Sequence, residues 1–297
     1  MPFDNRLLVI LRTGDELQPA LDRAQLIASR LGTQVHLIPD KAPGTNKQQK
    51  DWVQNQADKL GREGLDVRVK EWGKGDLIEN VLAAAQADDY GLVIKASDRS
   101  HPLADVLHTP RDWKLLRYSF PPVLMVNQQE SWVSRPLVAA IDADPNDTEH
   151  SLLNEKILQM SDRIASINHS PLHLVTAYPA PMQSATRELQ SEDKISRRYK
   201  SYCREICDSL AIMPAHQEVA EGPPEIMIPA YCKWKNVGLV VMGTVARSGL
   251  RGALLGGNTA EVILAQLNAD VLALKPEGYE EILQKLFECS STEFRDP

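Results

Sequence analysis

The sequence has few aromatic residues, no excess of basic charge and no long apolar run. Aromatic residues make up 5% of the 297 residues, and 40 acidic residues outnumber 33 basic ones, for a net charge of -7. The five tryptophans are scattered and form no stacking platform beside basic residues, which disfavours nucleic-acid binding. No apolar run approaches the ~20 residues of a membrane span, so we expect neither nucleic acid nor membrane as a partner.

Cysteine is also rare, and its spacing matches no disulfide or zinc motif. The four cysteines, which include no C-x-x-C pair, are Cys203, Cys207, Cys232 and Cys289. Cys203 and Cys207 would share one helix face, so a pair of metal ligands is the alternative, but no histidine or carboxylate pattern completes such a site. We expect reduced thiols in a cytoplasmic protein, and no metal cofactor.

Recognisable catalytic motifs are missing. The sequence has no H-E-x-x-H, no G-x-S-x-G, no G-x-x-x-x-G-K-[ST] and no G-x-G-x-x-G after a strand. His173 lies in an apolar run and is expected to be a packed core residue rather than a base. Asp144-Pro145 is a turn signal, with Mg²⁺ binding by Asp142 and Asp144 as the alternative. No catalytic residue is predicted.

The strongest positive signal is an internal duplication. Three apolar runs recur in the same order in both halves: Leu7–Arg12 with Leu137–Asp142, Gly91–Ala96 with Gly238–Gly243, and Pro122–Val126 with Asp270–Leu274. Each half therefore repeats one arrangement of strands, which predicts two diverged copies of a single domain.

Helical patterns separate these strands. Residues 20–31 and 152–167 carry apolar side chains at helical spacing, and Asp76 is a candidate N-cap for the helix that follows it. Residues 224–232 form a weaker helical pattern because of the internal Pro229. Apolar strands that alternate with helices indicate an α/β fold, here two tandem domains that each contain an open parallel sheet.

Composition also suggests where the domains end. The polar segment 127–136, which ends in Pro136, is the best linker candidate. We predict a first domain over residues 1–128, a second domain over residues 135–276 and a C-terminal tail over residues 277–297.

A glycine-rich loop follows the fourth strand of the second half. Five of the sixteen glycines lie there: Gly243, Gly249, Gly252, Gly256 and Gly257. Ligands of open parallel sheets bind beyond the carboxyl ends of the strands, and glycines let backbone N–H groups approach a phosphate. The alternative is that these glycines only turn the chain, while Asn258 or Thr259 only caps the next helix.

These motifs resemble those of the universal stress proteins. That family carries an Asp at the end of the first strand in a V-A-x-D context, and G-x-x-G followed by G-[ST] after the fourth strand. This sequence has Val138-Ala-Ala-Ile-Asp142, Gly243-Thr-Val-Ala246 and Gly256-Gly257. Ala246 replaces the second motif glycine, and Gly257 replaces the hydroxyl residue. The duplication and length are similar to the tandem branch of the family.

The resemblance implies an adenine nucleotide alpha hydrolase-like, Rossmann-like fold and a site for ATP or AMP in the second domain. In binding members, the first-strand Asp and second-strand backbone hold the nucleoside, and the glycine loop holds ribose and phosphates. The positions that the resemblance implies for this site are Asp142, Ala177, Gly243, Gly256, Gly257 and Asn258.

The first half departs further from the family pattern. Arg12 stands where the Asp is expected, and the loop 95–110 contains no glycine. We expect Arg12, Lys95, Arg99 and His101 to be solvated loop residues, with an anion pocket as the alternative. No nucleotide site of the usual kind is expected there.

Two functions follow from these observations. The first is a cytoplasmic stress-response binding protein for a small-molecule ligand. Its two domains are expected to form an internal pseudo-dimer through their last strands, Val123–Val126 and Val271–Leu274, and two such chains could form a homodimer. The alternative is a weak nucleotide-dependent enzyme, an ATPase or phosphotransferase, for which the sequence identifies no base.

Overall fold

The computed structural model describes residues 6–43, 47–98, 110–119, 121–144, 147, 150–181, 191–244 and 259–276. These residues divide into two compact units, one up to Gln129 and one from Glu130 to residue 276. The predicted tail, residues 277–297, lies outside the described residues, as do Arg99, His101, Ala246, Gly256, Gly257 and Asn258.

The first unit alternates strands and helices along the chain. In order, its described elements are β1 (Arg6–Leu11), α1 (Pro19–Leu31), β2 (Val35–Pro39), α2 (Lys47–Arg62), β3 (Val67–Val69), α3 (Leu77–Ala87), β4 (Tyr90–Ala96), α4 (Pro110–Tyr118) and β5 (Val123–Val126). The sheet order is β3-β2-β1-β4-β5, and all neighbours are parallel.

The second unit repeats this order. Its described elements are β6 (Leu137–Ala140), α5 (Ser151–Asn168), β7 (Leu172–Tyr178), α6 (Glu192–Leu210), β8 (His216–Glu221), α7 (Pro224–Trp234), β9 (Leu239–Gly243), α8 (Thr259–Gln266) and β10 (Asp270–Leu274). The sheet order is β8-β7-β6-β9-β10, and its neighbours are again parallel. The predicted duplication of an open parallel sheet is confirmed.

Burial of the strands explains why both units are layered. The central strands β1, β4, β6 and β9 are buried along almost their whole length, which requires cover on both faces of the sheet. Helix α1 packs on β1 and β4, and α5 packs equivalently on β6 and β9. The outer strands β3 and β8 are mostly exposed or half-buried, so the core lies at the centre of each sheet.

Two helices show how far local sequence could predict helix formation. Asp76 caps α3 as expected, because its side chain accepts from the Glu79 amide while the Glu79 side chain accepts from the Asp76 amide. The weaker pattern over residues 224–232 is also a helix, α7, with Pro229 inside it. Proline lacks an N–H and therefore removes one backbone hydrogen bond from α7. The burial of Tyr231 and Cys232 on the same helix indicates that tertiary packing compensates for this loss.

The polar segment before β6 is anchored to the second unit at Trp132 and Arg135, while residues 130, 131, 133 and 134 are exposed. Trp132 is 2% exposed, and its Nε1 donates to Oδ2 of buried Asp270 at 2.5 Å. Arg135 donates to the carbonyl of Val237 at 3.0 Å. Residues 130–136 therefore cover the amino ends of the strands of the second unit, although their composition is that of a linker.

Candidate functional site

The strand order of the second unit creates a crevice at the carboxyl ends of β6 and β9. The chain leaves β6 for β7 on one side, while β9 lies on the other, so the order of strands reverses at β6. Ala140 of β6 pairs with Met242 of β9, which puts Asp142 and Gly243 at the ends of adjacent strands. Such a switch point is where open α/β sheets bind ligands.

The backbone of Asp142 is held by an amide side chain of α5. Asn154, which is 2% exposed, accepts from the Asp142 amide at 3.2 Å and donates to the Asp142 carbonyl at 2.7 Å. The same Nδ2 also donates to the Tyr202 hydroxyl at 3.2 Å. We call this two-way contact the amide clamp. It fixes the direction in which the chain leaves β6.

The residues after Asp142 are tied down in the same way. The buried Ala143 amide donates to Thr176 Oγ1 of β7 at 3.3 Å, and the Asp144 amide donates to Asp142 Oδ1 at 3.4 Å. The Asp147 amide donates to the Asp144 carbonyl at 3.0 Å. The half-exposed Asp142 carboxylate is thus presented from a fixed backbone.

Ala177 lies at the carboxyl end of β7, beside this turn. It is the half-exposed position in a strand that is otherwise buried, and it pairs with Ala220 of β8. The register in which Ala140 pairs with Val175, continued by two residues, puts Ala177 beside Asp142. The structure therefore brings together three of the residues that the resemblance implied: Asp142, Ala177 and Gly243.

Gly243 has a packing role at the end of β9. A Cβ built on it would lie 2.7 Å from Cδ2 of the buried Leu153 on α5. Glycine therefore lets α5 approach the sheet closely, independently of any ligand. The next residue, Thr244, donates from its amide to the Leu274 carbonyl at 3.1 Å and continues the pairing with the strand end of β10.

A histidine–aspartate pair at the start of α5 was not predicted. His150 Nδ1 lies 2.8 Å from Asp147 Oδ2, and the His150 amide donates to Asp147 Oδ1 at 3.2 Å. His150 is buried and lies at the same edge of the sheet as Asp142, since α5 follows β6. The D-x-x-H spacing before an apolar helical pattern is the signal that could have identified it.

At the corresponding edge of the first unit, the residue equivalent to Asp142 is the cationic Arg12. Arg12 follows β1, and Gln18 clamps its backbone: Gln18 Oε1 accepts from the Arg12 amide at 3.1 Å, and Nε2 donates to the Arg12 carbonyl at 2.7 Å. The Arg12 guanidinium donates to the carbonyl of Ser97 after β4. Gln18 and Asn154 therefore make the same amide clamp on equivalent residues.

The expectation that Lys95 is solvated is wrong. Lys95 is 2% exposed, and its Nζ lies 2.8 Å from carboxylate oxygens of both Asp98 and Asp112. Asp112, at the start of α4, is fully buried. A buried ammonium needs such partners because desolvation alone would strongly destabilise it. The charge of the Lys95 ammonium is thus balanced by carboxylates inside the protein, and the buried ammonium is not exposed to an anionic ligand.

Histidines occupy equivalent positions in the second strand of each sheet. His36 lies opposite Leu8, and His173 lies opposite Val138. His36 Nδ1 lies 2.6 Å from the Tyr90 hydroxyl, and His173 Nδ1 lies 2.9 Å from the Tyr231 hydroxyl.

Burial is the main cause that lowers the pKa of both histidines. Nearby Lys70 and Arg6 lower the pKa of His36 further, while His216 and Lys235 lower that of His173. The expected core role of His173 agrees with its burial in β7.

The described cysteines are buried thiols. Cys203, Cys207 and Cys232 have no disulfide partner, and burial raises the pKa of Cys203 to about 12. Across the described ranges, no three histidine, cysteine or acidic side chains converge in a way that could hold a metal ion. In the described part of the chain, no helix is both long and apolar enough to cross a bilayer.

Each unit has a parallel sheet with the same strand order, and the clamped Asp142 lies at the switch point of the second sheet. This is the architecture of an adenine nucleotide alpha hydrolase-like, Rossmann-like α/β protein. Residues 135–275 match the model of the universal stress protein family. Universal stress protein E of Salmonella typhi is 29% identical over 94% of this chain and 97% of its own length.

Solved structures agree with this assignment. A chain from Pseudomonas aeruginosa assigned to the universal stress proteins is 33% identical, covers 96% of this chain and 97% of its own, and superposes with a TM-score of 0.81. A universal stress protein from Archaeoglobus fulgidus, 16% identical with a TM-score of 0.66 over 93% of this chain and 99% of its own, shares the fold. The chain belongs to the universal stress protein family, as a tandem stress-response protein similar to universal stress protein E.

Proposed function

We propose that the second unit binds an adenine nucleotide, ATP or AMP, and that the protein acts as a cytoplasmic stress-response binding protein. The observation that carries this proposal is the half-exposed carboxylate of Asp142, held at the switch point by the amide clamp of Asn154. A fixed carboxylate accepts hydrogen bonds from ribose hydroxyls or from an adenine amino group. The backbone of the half-exposed Ala177, at the end of the neighbouring strand, would supply a further hydrogen-bonding partner.

The glycine loop completes the proposed site. By the family resemblance, Gly256, Gly257 and Asn258 would hold the phosphates together with the strand end at Gly243. The domain boundaries at residues 128, 135 and 276 stay predictions of the sequence, as does the pseudo-dimer of the last strands.

Calorimetric titration of the full chain with ATP and with AMP tests the site. Asp142→Asn removes the charge while it preserves the shape of the side chain, and it should weaken binding by about tenfold or more, because a hydrogen bond to a charged group contributes about 1.5–3 kcal/mol. A matched control is Asp58→Asn, which changes an exposed carboxylate on α2 of the first unit and should leave nucleotide affinity unchanged. No binding at about 1 mM nucleotide would contradict the proposal.

The alternative of a weak enzyme has one structural argument in its favour. The Asp147–His150 pair at the start of α5 is an arrangement in which a carboxylate orients an imidazole. Phosphate release is therefore measured in the same titrated samples. Release by the wild-type chain that exceeds release by Asp142→Asn would favour an ATPase, whereas equal release leaves a binding protein.

A further inference from the structure

The first unit has its own cleft at the carboxyl edge of its sheet. The cleft measures about 630 Å³, within the range of small-ligand sites. It lies where β1, β4 and β5 end, at the switch point of this unit. The lining residues that matter here are Arg12, Asp15, Glu16, Ser97, Asn127 and Gln128.

Arg12 is held at this cleft as firmly as Asp142 is held in the second unit. Gln18, which is 8% exposed, makes the two-way amide clamp on the Arg12 backbone and also donates to the Asp15 carbonyl at 2.9 Å. The guanidinium is oriented by its bond to the Ser97 carbonyl. With five N–H donors, a guanidinium anchored at one carbonyl keeps donors for a second, bidentate partner.

The charges around the cleft identify Arg12 as the cation that a ligand would meet. Lys95 is close in sequence to Ser97, but two carboxylates neutralise it inside the protein. Two carboxylates also line the cleft: Asp15, whose side chain is 55% exposed and lies 4.0 Å from the Arg12 guanidinium, and the exposed Glu16. A carboxylate so exposed is well screened by water and attracts the arginine only weakly, so a ligand anion can displace it.

The wall of the cleft also offers uncharged hydrogen-bonding groups. Ser97 is 2% exposed, and its hydroxyl has no hydrogen-bond partner among the described residues. A buried hydroxyl without a partner is unfavourable by about 1–3 kcal/mol, so a ligand or water that bonds to it is stabilising. The side chains of Asn127 and Gln128 line the same cleft and bring amide donors and acceptors.

We propose that this cleft binds a small phosphorylated polyol, whose phosphate pairs with Arg12 and whose hydroxyl groups meet Ser97 and the Asn127 and Gln128 amides. Arg12 suits a phosphate because its planar fork donates two parallel hydrogen bonds. The two units would thus bind different ligands on one backbone arrangement, with an arginine in one and a carboxylate in the other. This site is independent of the nucleotide site proposed for the second unit.

Calorimetry on the full chain with ribose 5-phosphate, and with ribose as the uncharged control, tests the charge requirement. Ribose 5-phosphate should bind and ribose should bind at least about tenfold more weakly, since the two differ only in the anion that Arg12 pairs with. Arg12→Gln should reduce the affinity for ribose 5-phosphate by about tenfold or more. Asp15→Asn should raise it by about threefold, because the competing carboxylate is removed.

Ribose 5-phosphate carries the same ribose and phosphate groups as the nucleotide proposed for the second unit, so the comparison is repeated in an Asp142→Asn background, in which the effect of Arg12→Gln should be undiminished. If Arg12→Gln fails to fold, as judged by circular dichroism, the opposite change in Asp15→Asn still tests the role of Arg12. Equal affinity for ribose and ribose 5-phosphate would overturn the proposal. So would the absence of ribose 5-phosphate binding at about 10 mM, or undiminished binding by a folded Arg12→Gln protein.

Discussion

The two units build the same sheet and differ at the carboxyl edge of that sheet. Equivalence is fixed by strand register, because Ile10 pairs with Lys95 in the first unit as Ala140 pairs with Met242 in the second. The three differing pairs at this edge are Arg12 and Asp142, Lys95 and Met242, and Ala96 and Gly243. Apart from Arg6 and Lys95, the central strands carry no charged residue in either unit.

The difference shows which parts of the fold constrain the sequence. A strand buried on both faces accepts few polar residues without a partner, whereas a side chain at the strand end is constrained mainly by its own backbone. Both units retain the amide clamp, from Gln18 and from Asn154, and reverse the charge of the residue that it holds. Binding chemistry can therefore diverge while the backbone is preserved.

The largest expected effect comes from replacing Lys95 with methionine, the residue that the second unit has at the equivalent position, Met242. Lys95→Met leaves the fully buried carboxylate of Asp112 without its ammonium partner, and should destabilise the first unit by about 3–5 kcal/mol. Hydrogen-exchange mass spectrometry follows the two units separately, and exchange should accelerate in β4 and α4 while β9 is unaffected.

The matched control for this change is Lys114→Met, at an exposed position on α4, the helix that carries Asp112. It should shift stability by less than about 0.5 kcal/mol. Adding Asp112→Asn to Lys95→Met should recover part of the loss, because no buried charge then remains at that position. Unchanged exchange in Lys95→Met would mean that the ion pair is not needed in the first unit.

The second-largest effect is expected at Gly243, whose equivalent in the first unit is Ala96. Gly243→Ala puts a Cβ 2.7 Å from Leu153 Cδ2. Because that atom is the end of a flexible side chain, the leucine can shift, and the cost should be near the lower end of the range for overpacking, about 1 kcal/mol. Chemical denaturation measures this change, and ligand binding is not needed to detect it. The reverse change in the first unit, Ala96→Gly, should cost only about 0.5–1 kcal/mol through backbone entropy.

A double-mutant cycle identifies the contact. The cost of Gly243→Ala should shrink in a Leu153→Ala background, because the overlapping methyl group is gone. Additive effects would show that Leu153 is not the cause. The steric role of Gly243 also explains why a bulky substitution there is a poor test of ligand binding: it disturbs the packing of α5 first.

The fold could be predicted from the sequence because the patterns that specify it are local or repeated. The apolar strands recur in both halves, and the capping pair of Asp76 and Glu79 is three residues apart. The contacts at the edge of the sheet have no such signal. Nothing in a run of polar loop residues shows that Gln18 folds back onto Arg12, or that Trp132 bonds with Asp270, 138 residues away.

Lys95 shows the same limit in a different way. A lysine before a polar loop has the composition of a solvated residue, and its burial depends on Asp112, which reaches it only after α4 has packed. For Asp142 the residue itself was predictable from the resemblance, whereas its clamp by Asn154 required the packed position of α5. Long-range polar pairs are decided by tertiary structure, so single-sequence patterns do not reveal them.

The smallest expected effect concerns a feature that the two units share, the buried histidines His36 and His173. Burial lowers the pKa of each below the ordinary histidine value of 6.5, so the unfolded chain binds more protons than the folded one just below pH 6.5. Stability should therefore be complete above pH 6.5 and should fall as the pH decreases through the lowered pKa values.

Hydrogen exchange as a function of pH, corrected for the intrinsic rate, separates the two contributions. His36→Phe should reduce the acid sensitivity of the first unit alone, and His173→Phe that of the second alone, because each histidine lies in its own sheet. The charged groups beside them differ: Lys70, Arg6 and Asp88 surround His36, whereas His216 and Lys235 face His173. Acid sensitivity that persists unchanged in both variants would assign it to the carboxylates instead. If the substitution reduces acid sensitivity in one unit only, the two equivalent histidines do not contribute equally to the pH dependence of stability.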